Sequence, residues 1–139
     1  MDVNETTMFG SLKPLMGEGE KILCPVFAMV NKQVKRMTHS TSEYAYITVT
    51  SKARLVLYRF DTATSYSESF LLSTIIFGEL HKLQSTGVYA AELSFLDDSG
   101  QQKDINISVD PNPKSRANDL PNQAKYTEKL FGILGKIVL

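Results

Sequence analysis

Tryptophan is absent from this chain, cysteine occurs once, histidine occurs twice, and neither sign of charge is in excess. Each shortage removes a class of explanation. A single thiol, Cys24, cannot form an intramolecular disulfide, so nothing points to a secreted scaffold held by staples. Fifteen basic and fifteen acidic residues cancel, which argues against the broad positive field that nucleic-acid binding needs. No apolar run approaches the roughly 20 residues that span a bilayer. The opening residues Met1-Asp2-Val3-Asn4-Glu5 are acidic and polar, unlike a signal peptide. Without such a signal, the glycosylation patterns at Asn4-Glu5-Thr6 and Asn106-Ile107-Ser108 read as chance matches. The expectation is a cytoplasmic protein of one domain, with 42% apolar residues to build a core across 139 positions.

Reactive groups are equally sparse. His39 and His81 lie far apart, outside any His-x-x-x-His or Cys-x-x-Cys spacing that would hold a metal. Cys24 stands beside Pro25 in an apolar run and reads as a buried, inert thiol. Gly17-Glu18-Gly19-Glu20-Lys21 places carboxylates where a phosphate loop would need its ligand. Asp97-Asp98-Ser99-Gly100 between two alternating runs is turn chemistry before it is a carboxylate pair. No cofactor, metal or catalytic residue is expected, and the chain does not read as an enzyme.

What the sequence does hold is alternation. Tyr44–Thr50 and Arg54–Phe60 are rich in aromatic and β-branched residues with period two, and Ser51-Lys52-Ala53 joins them as an antiparallel hairpin. Arg59 alternates with Tyr58 and is expected on a solvent face with its stem packed. A second hairpin runs through Tyr89, Ala91, Leu93 and Phe95 and returns through Ile105, Ile107 and Val109. The run from Lys21 to Val30 has strand character interrupted by Pro25, and is expected to be an edge or bulged strand because proline lacks a ladder donor. Tyr66 to Phe77 is expected to hold another strand and Glu79 to Ser85 a further short one. Met8, Phe9, Leu12, Leu15 and Met16 suggest a short helix in a 1–17 extension, limited by Pro14. After Asp119, a plausible N-cap, the period changes: Tyr126, Leu130, Ile133, Leu134, Ile137 and Val138 recur at helical spacing. Gly132 and Gly135 weaken that helix, so it should lie close on the sheet.

Hairpin-ordered strands with one terminal helix form an α+β domain. The order, together with Gly19-Glu20-Lys21-Ile22-Leu23 and the corner Val49-Thr50-Ser51-Lys52-Ala53-Arg54-Leu55-Val56, resembles the small bacterial pleckstrin-homology domains and their GRAM-like relatives. The resemblance covers roughly residues 18–139. It implies a barrel of about seven antiparallel strands in two sheets, capped by the C-terminal helix. The terminal tryptophan of many eukaryotic members is missing, and Phe131 is the candidate to fill its space.

The same resemblance implies two kinds of partner. Lipid-binding members carry cations in the loop after the first strand, where Lys32, Lys35, Arg36 and His39 stand here. Against this, Tyr44-Ala45-Tyr46 replaces the basic pair expected early in the second strand, and Lys52 and Arg54 lie at its far end. Bacterial members often self-associate, and an open apolar edge can pair with a partner strand. The favoured expectation is therefore a noncatalytic binding or assembly module acting through protein contacts, with itself or another protein. Its candidate interface is Val26, Phe27 and Met29, or Ile137, Val138 and Leu139. Peripheral recognition of anionic lipid through 32–39 is the alternative, and a small-molecule carrier or enzyme using the barrel end is a third reading.

Overall fold

A computed structural model describes residues 3–33, 40–60, 66–113 and 119–138, with only the backbone described at 31–33 and 40–42. It is an α+β fold: one antiparallel sheet of seven strands and a C-terminal helix, preceded by a short N-terminal helix. The strands are β1 (Val26–Gln33), β2 (Ser40–Val49), β3 (Arg54–Arg59), β4 (Tyr66–Leu71), β5 (Ile75–Lys82), β6 (Tyr89–Leu96) and β7 (Gln102–Val109). The helices are α1 (Glu5–Leu12) and α2 (Gln123–Val138). Both expected hairpins form, with Ile47 opposite Leu57 in one and Leu93 opposite Ile105 in the other. Asp97-Asp98-Ser99-Gly100 is a turn: Asp97 Oδ1 accepts from the backbone of Ser99 and Gln101, and Gly100 takes a φ of 82°.

The sheet runs β4-β3-β2-β1-β7-β6-β5. In a flat sheet β4 and β6, five steps apart, would be separated by roughly 24 Å at about 4.8 Å per strand. Yet the rings of Phe70 on β4 and Phe95 on β6 stack with centroids 4.7 Å apart. The sheet therefore curls over its own core. The alternation explains what lies inside: Val26, Ala28 and Val30, then Ala45, Ile47 and Val49, then Leu55 and Leu57 share one buried face with Leu93, Ile105 and Ile107. Helix α2 supplies Leu130, Phe131 and Leu134 to that core. The opposite face of β2 and β3 is covered too, because Met8 and Leu12 of α1 pack on Tyr46, Val56 and Phe60. Asn4 caps α1 by accepting from the Thr7 amide at 2.8 Å, and the helix passes into a 3-10 turn at Pro14.

Several expectations are corrected. The strands form one hydrogen-bonded sheet rather than two, and no pairing joins β4 to β5 among the described residues. The first strand is neither an edge nor bulged; β1 lies between β2 and β7. Pro25 sits just ahead of β1, so its missing donor costs the ladder nothing. Ile22 makes only an isolated bridge to Thr50. Arg59 faces the interior in step with Leu55 and Leu57 and is 2% exposed. Its charge is matched by Glu68 at 2.7 Å and Glu43 at 3.5 Å, brought alongside by strand pairing. The expected strand over 66–77 is instead two, β4 and β5, joined by a 3-10 turn at Leu72–Thr74. Helix α2 starts at Gln123, so Asp119 is not its N-cap; the Asp119 carbonyl accepts the Glu5 amide instead.

Candidate functional site

The two short motifs of the resemblance meet in space. The Glu20 carboxylate receives two bonds from the Arg54 guanidinium, at 2.8 and 2.6 Å, and one from the Gly17 amide at 2.7 Å. The Thr50 hydroxyl also donates to it. These bonds, the Arg54 guanidinium first, hold the Glu20 pKa at about 2 despite the desolvation that opposes them. Arg54 further donates to the Leu15 carbonyl at 3.0 Å, and Lys52 to the Glu18 carbonyl at 2.6 Å. These cations fasten the entry segment to the β2–β3 corner. The unit is structural, and Glu20 already takes the anion position of the Gly-rich loop.

A cleft of about 810 Å³ lies elsewhere, on the outer face at the middle of the sheet. Alternation along β1 sends Val26, Ala28 and Val30 inward and leaves Phe27 and Met29 pointing out to form its floor with Tyr44 of β2. The rings of Phe27 and Tyr44 stack at 5.2 Å, and Phe27 stacks on Phe60 at 6.0 Å behind them. Ser85, Thr86 and Val88 of the β5–β6 turn form one wall; Ser108, Asp110 and Pro113 form another. The cleft exists because β1 and β7 diverge. Their pairing covers only Met29 to Asn31, and the backbone of Phe27 bonds to a side chain instead. Gln123, 2% exposed, accepts from the Phe27 amide at 3.1 Å and donates to its carbonyl at 2.7 Å. A third bond, to the Asp110 carbonyl at 3.1 Å, ties the departing end of β7 to the same amide.

Chemically the cleft offers two aromatic rings, a methionine, a valine and a proline, with hydroxyls and one carboxylate around them. It is an open cleft rather than an enclosed chamber. Cys24 is fully buried away from it, and burial pushes its thiol pKa up. On the outer face of the β5–β6 pair, Glu79, His81 and Glu92 come together, exposed, with His81 Nε2 3.5 Å from Glu79 Oε1.

The sequence-derived candidates are scattered. Phe27 and Met29 line the cleft, whereas Val26 is fully buried in the core and is withdrawn as an interface residue. Ile137 is 38% exposed near the end of α2, and Val138 is half-buried against Gly78 of β5. Leu139, Lys35, Arg36 and His39 lie outside the described residues, as does the side chain of Lys32. Sequence reasoning missed Tyr44, Val88, Asp110, Pro113 and Gln123. Tyr44 shares the parity of Tyr46 and was legible as an outward residue; the others reach the cleft only through pairing across long stretches of chain. Among the described residues, no helix is long and apolar enough to cross a membrane. No family model matches this chain, and no curated protein matches it.

Proposed function

We propose that this chain is a noncatalytic binding module that acts through protein contacts and associates with itself, built as a pleckstrin-homology-like barrel. The barrel reading is supported by the hairpin order, the fold-over that seats Phe70 on Phe95, and the terminal helix in the core. It is supported also by the bonds from Glu20 to Arg54 and Thr50, which give the resembling Gly-Glu and Thr-to-Arg motifs one physical purpose. The observation that carries the functional reading is the cleft. Its stacked Phe27 and Tyr44, with Met29 beside them, offer a wide, low-entropy apolar floor of the sort that anchors protein partners. Asp110 at its edge favours a partner segment with a cation beside its apolar anchors.

A displayed random-peptide library selected on the immobilised protein tests this. Enriched peptides should combine apolar and basic residues, shift the amide resonances around Phe27, Met29 and Tyr44, and bind Met29→Asp at least about tenfold more weakly. Enriched peptides that map to another surface, or no enrichment at all, would overturn the cleft as the contact site. Vesicles with and without anionic lipid form the second arm. Tight, headgroup-specific binding at physiological salt, abolished by Lys35→Glu with Arg36→Glu, would put the lipid reading first. A small metabolite that competes with the peptides would favour the carrier reading.

A further inference from the structure

Among the described residues the sheet has two unpartnered end strands, β4 and β5, and they are unlike each other. The outward residues of β4 are Ser67, Ser69 and, at its end, Leu71 at 52% exposure, so only the last of them is apolar and none is charged. Strand β5 carries a bulge at Ile76, where Ile75 pairs with Phe95 but Phe77 with Ser94, and is regular from Phe77 to Lys82. Its outer face presents Phe77 at 52% exposure and, just past its end, Leu83 at 51%, with Glu79 and His81 between them.

Backbone parity then fixes what the β5 edge can accept. The Leu83 amide donates to the Val88 carbonyl at 2.8 Å, toward β6. By strand alternation the odd-numbered residues bond to β6, while Gly78, Leu80 and Lys82 turn N–H and C=O to the open side. We propose that two copies of this chain join by antiparallel pairing of β5 with β5, with Leu80 opposite Leu80 across a twofold axis. This rests on the self-association reading above and names its surface and register. Gly78 and Lys82 of the two copies then form hydrogen-bonded pairs. The close, non-hydrogen-bonded pairs put Glu79 opposite His81 twice and Phe77 opposite Leu83 twice. Charge complementarity selects this register. Sliding one way sets Glu79 against Glu79, and sliding the other sets His81 against His81, whereas here each carboxylate meets an imidazole N–H. A neutral net charge leaves no long-range repulsion to oppose the approach. The axis stands perpendicular to the joined sheet, so both α2 helices lie on one side of it.

The register is tested with full-length Glu79→Cys and His81→Cys proteins, purified separately and oxidised alone or mixed. Non-hydrogen-bonded partners have Cα atoms about 4.5 Å apart, within the span a disulfide bridges, and buried Cys24 gives no background. The mixture should yield a disulfide-linked dimer on the order of tenfold above either protein alone. Glu79→Cys linking efficiently to itself would overturn the register. Sedimentation separates the two levels of the claim. Wild type should show the mass of two chains at tens of micromolar, and Phe77→Asp should weaken the dimer about tenfold or more with its melting temperature unchanged. A wild-type dimer indifferent to Phe77→Asp, with no mixed disulfide, would sink the β5 pairing and leave self-association standing. A wild-type monomer would sink both.

Discussion

Glu20 is the residue whose chemistry is most consequential for stability. Its carboxyl titrates at about 2 in the folded protein against an ordinary 4.5, so the unfolded chain takes up the proton first as pH falls. The stabilisation is complete above pH 4.5 and is lost as pH drops through the window toward 2. Melting temperature followed from pH 5 to 2 should fall steeply in wild type and less in Glu20→Gln. At neutral pH that variant should cost roughly 1–3 kcal/mol, since it leaves Arg54 without its carboxylate. Ala53 is a residue in the wrong conformation for its kind: it holds a φ of 56° at the β2–β3 corner. Ala53→Gly should stabilise the fold by about 0.5–1 kcal/mol, read as a shift in denaturation midpoint. A lower midpoint would show that the corner tolerates alanine better than its backbone indicates. Arg59 shows where residue-level reading fails. It was expected on a solvent face from its alternation with Tyr58, although it shares the parity of buried Leu55 and Leu57; the deciding partners Glu43 and Glu68 come from neighbouring strands that the sequence does not place.

Elements were legible wherever periodicity was long. The 44–60 hairpin, the 89–109 hairpin and the terminal helix all form, and Ile105, Ile107, Leu130 and Leu134 are buried as their spacing requires. Leu134→Ala should cost ~2–5 kcal/mol in a denaturant titration. Neighbourhood was not legible. Pro25 marked a strand end rather than a sheet edge, because one proline ahead of a strand and one inside it look alike when boundaries shift by a few residues. Gln123 gave no signal at all; it is a polar helix residue until the divergence of β1 from β7 leaves the Phe27 backbone to it. Gln123→Ala should destabilise by ~1–3 kcal/mol through those orphaned groups. Gly78 is set by close approach. A Cβ there would fall 2.2 Å from Val138 Cγ1, and valine cannot swing aside as a longer side chain would. Gly78→Ala should cost roughly 1–3 kcal/mol by pushing the end of α2 off β5; an unchanged midpoint would mean that this end of the helix is not held there.

At the scale of the whole molecule, the divergence of β1 from β7 leaves a cleft, and the sheet curls without β4 and β5 pairing among the described residues, which leaves an edge. Sequence pattern singled out Val26, Phe27 and Met29 as candidate contact residues on an edge strand, whereas Val26 is core and Phe27 and Met29 form the floor of a cleft at the sheet's centre. The edge at β5 was obscured by its irregularity: a 3-10 turn and a bulge within a few residues break the period that would have marked it. Association through protein surfaces is tested most directly by sedimentation equilibrium of the wild-type chain over a range of concentrations at physiological salt. A mass approaching two chains at tens of micromolar, falling toward one on dilution, is the predicted result. A mass of one chain throughout would contradict it.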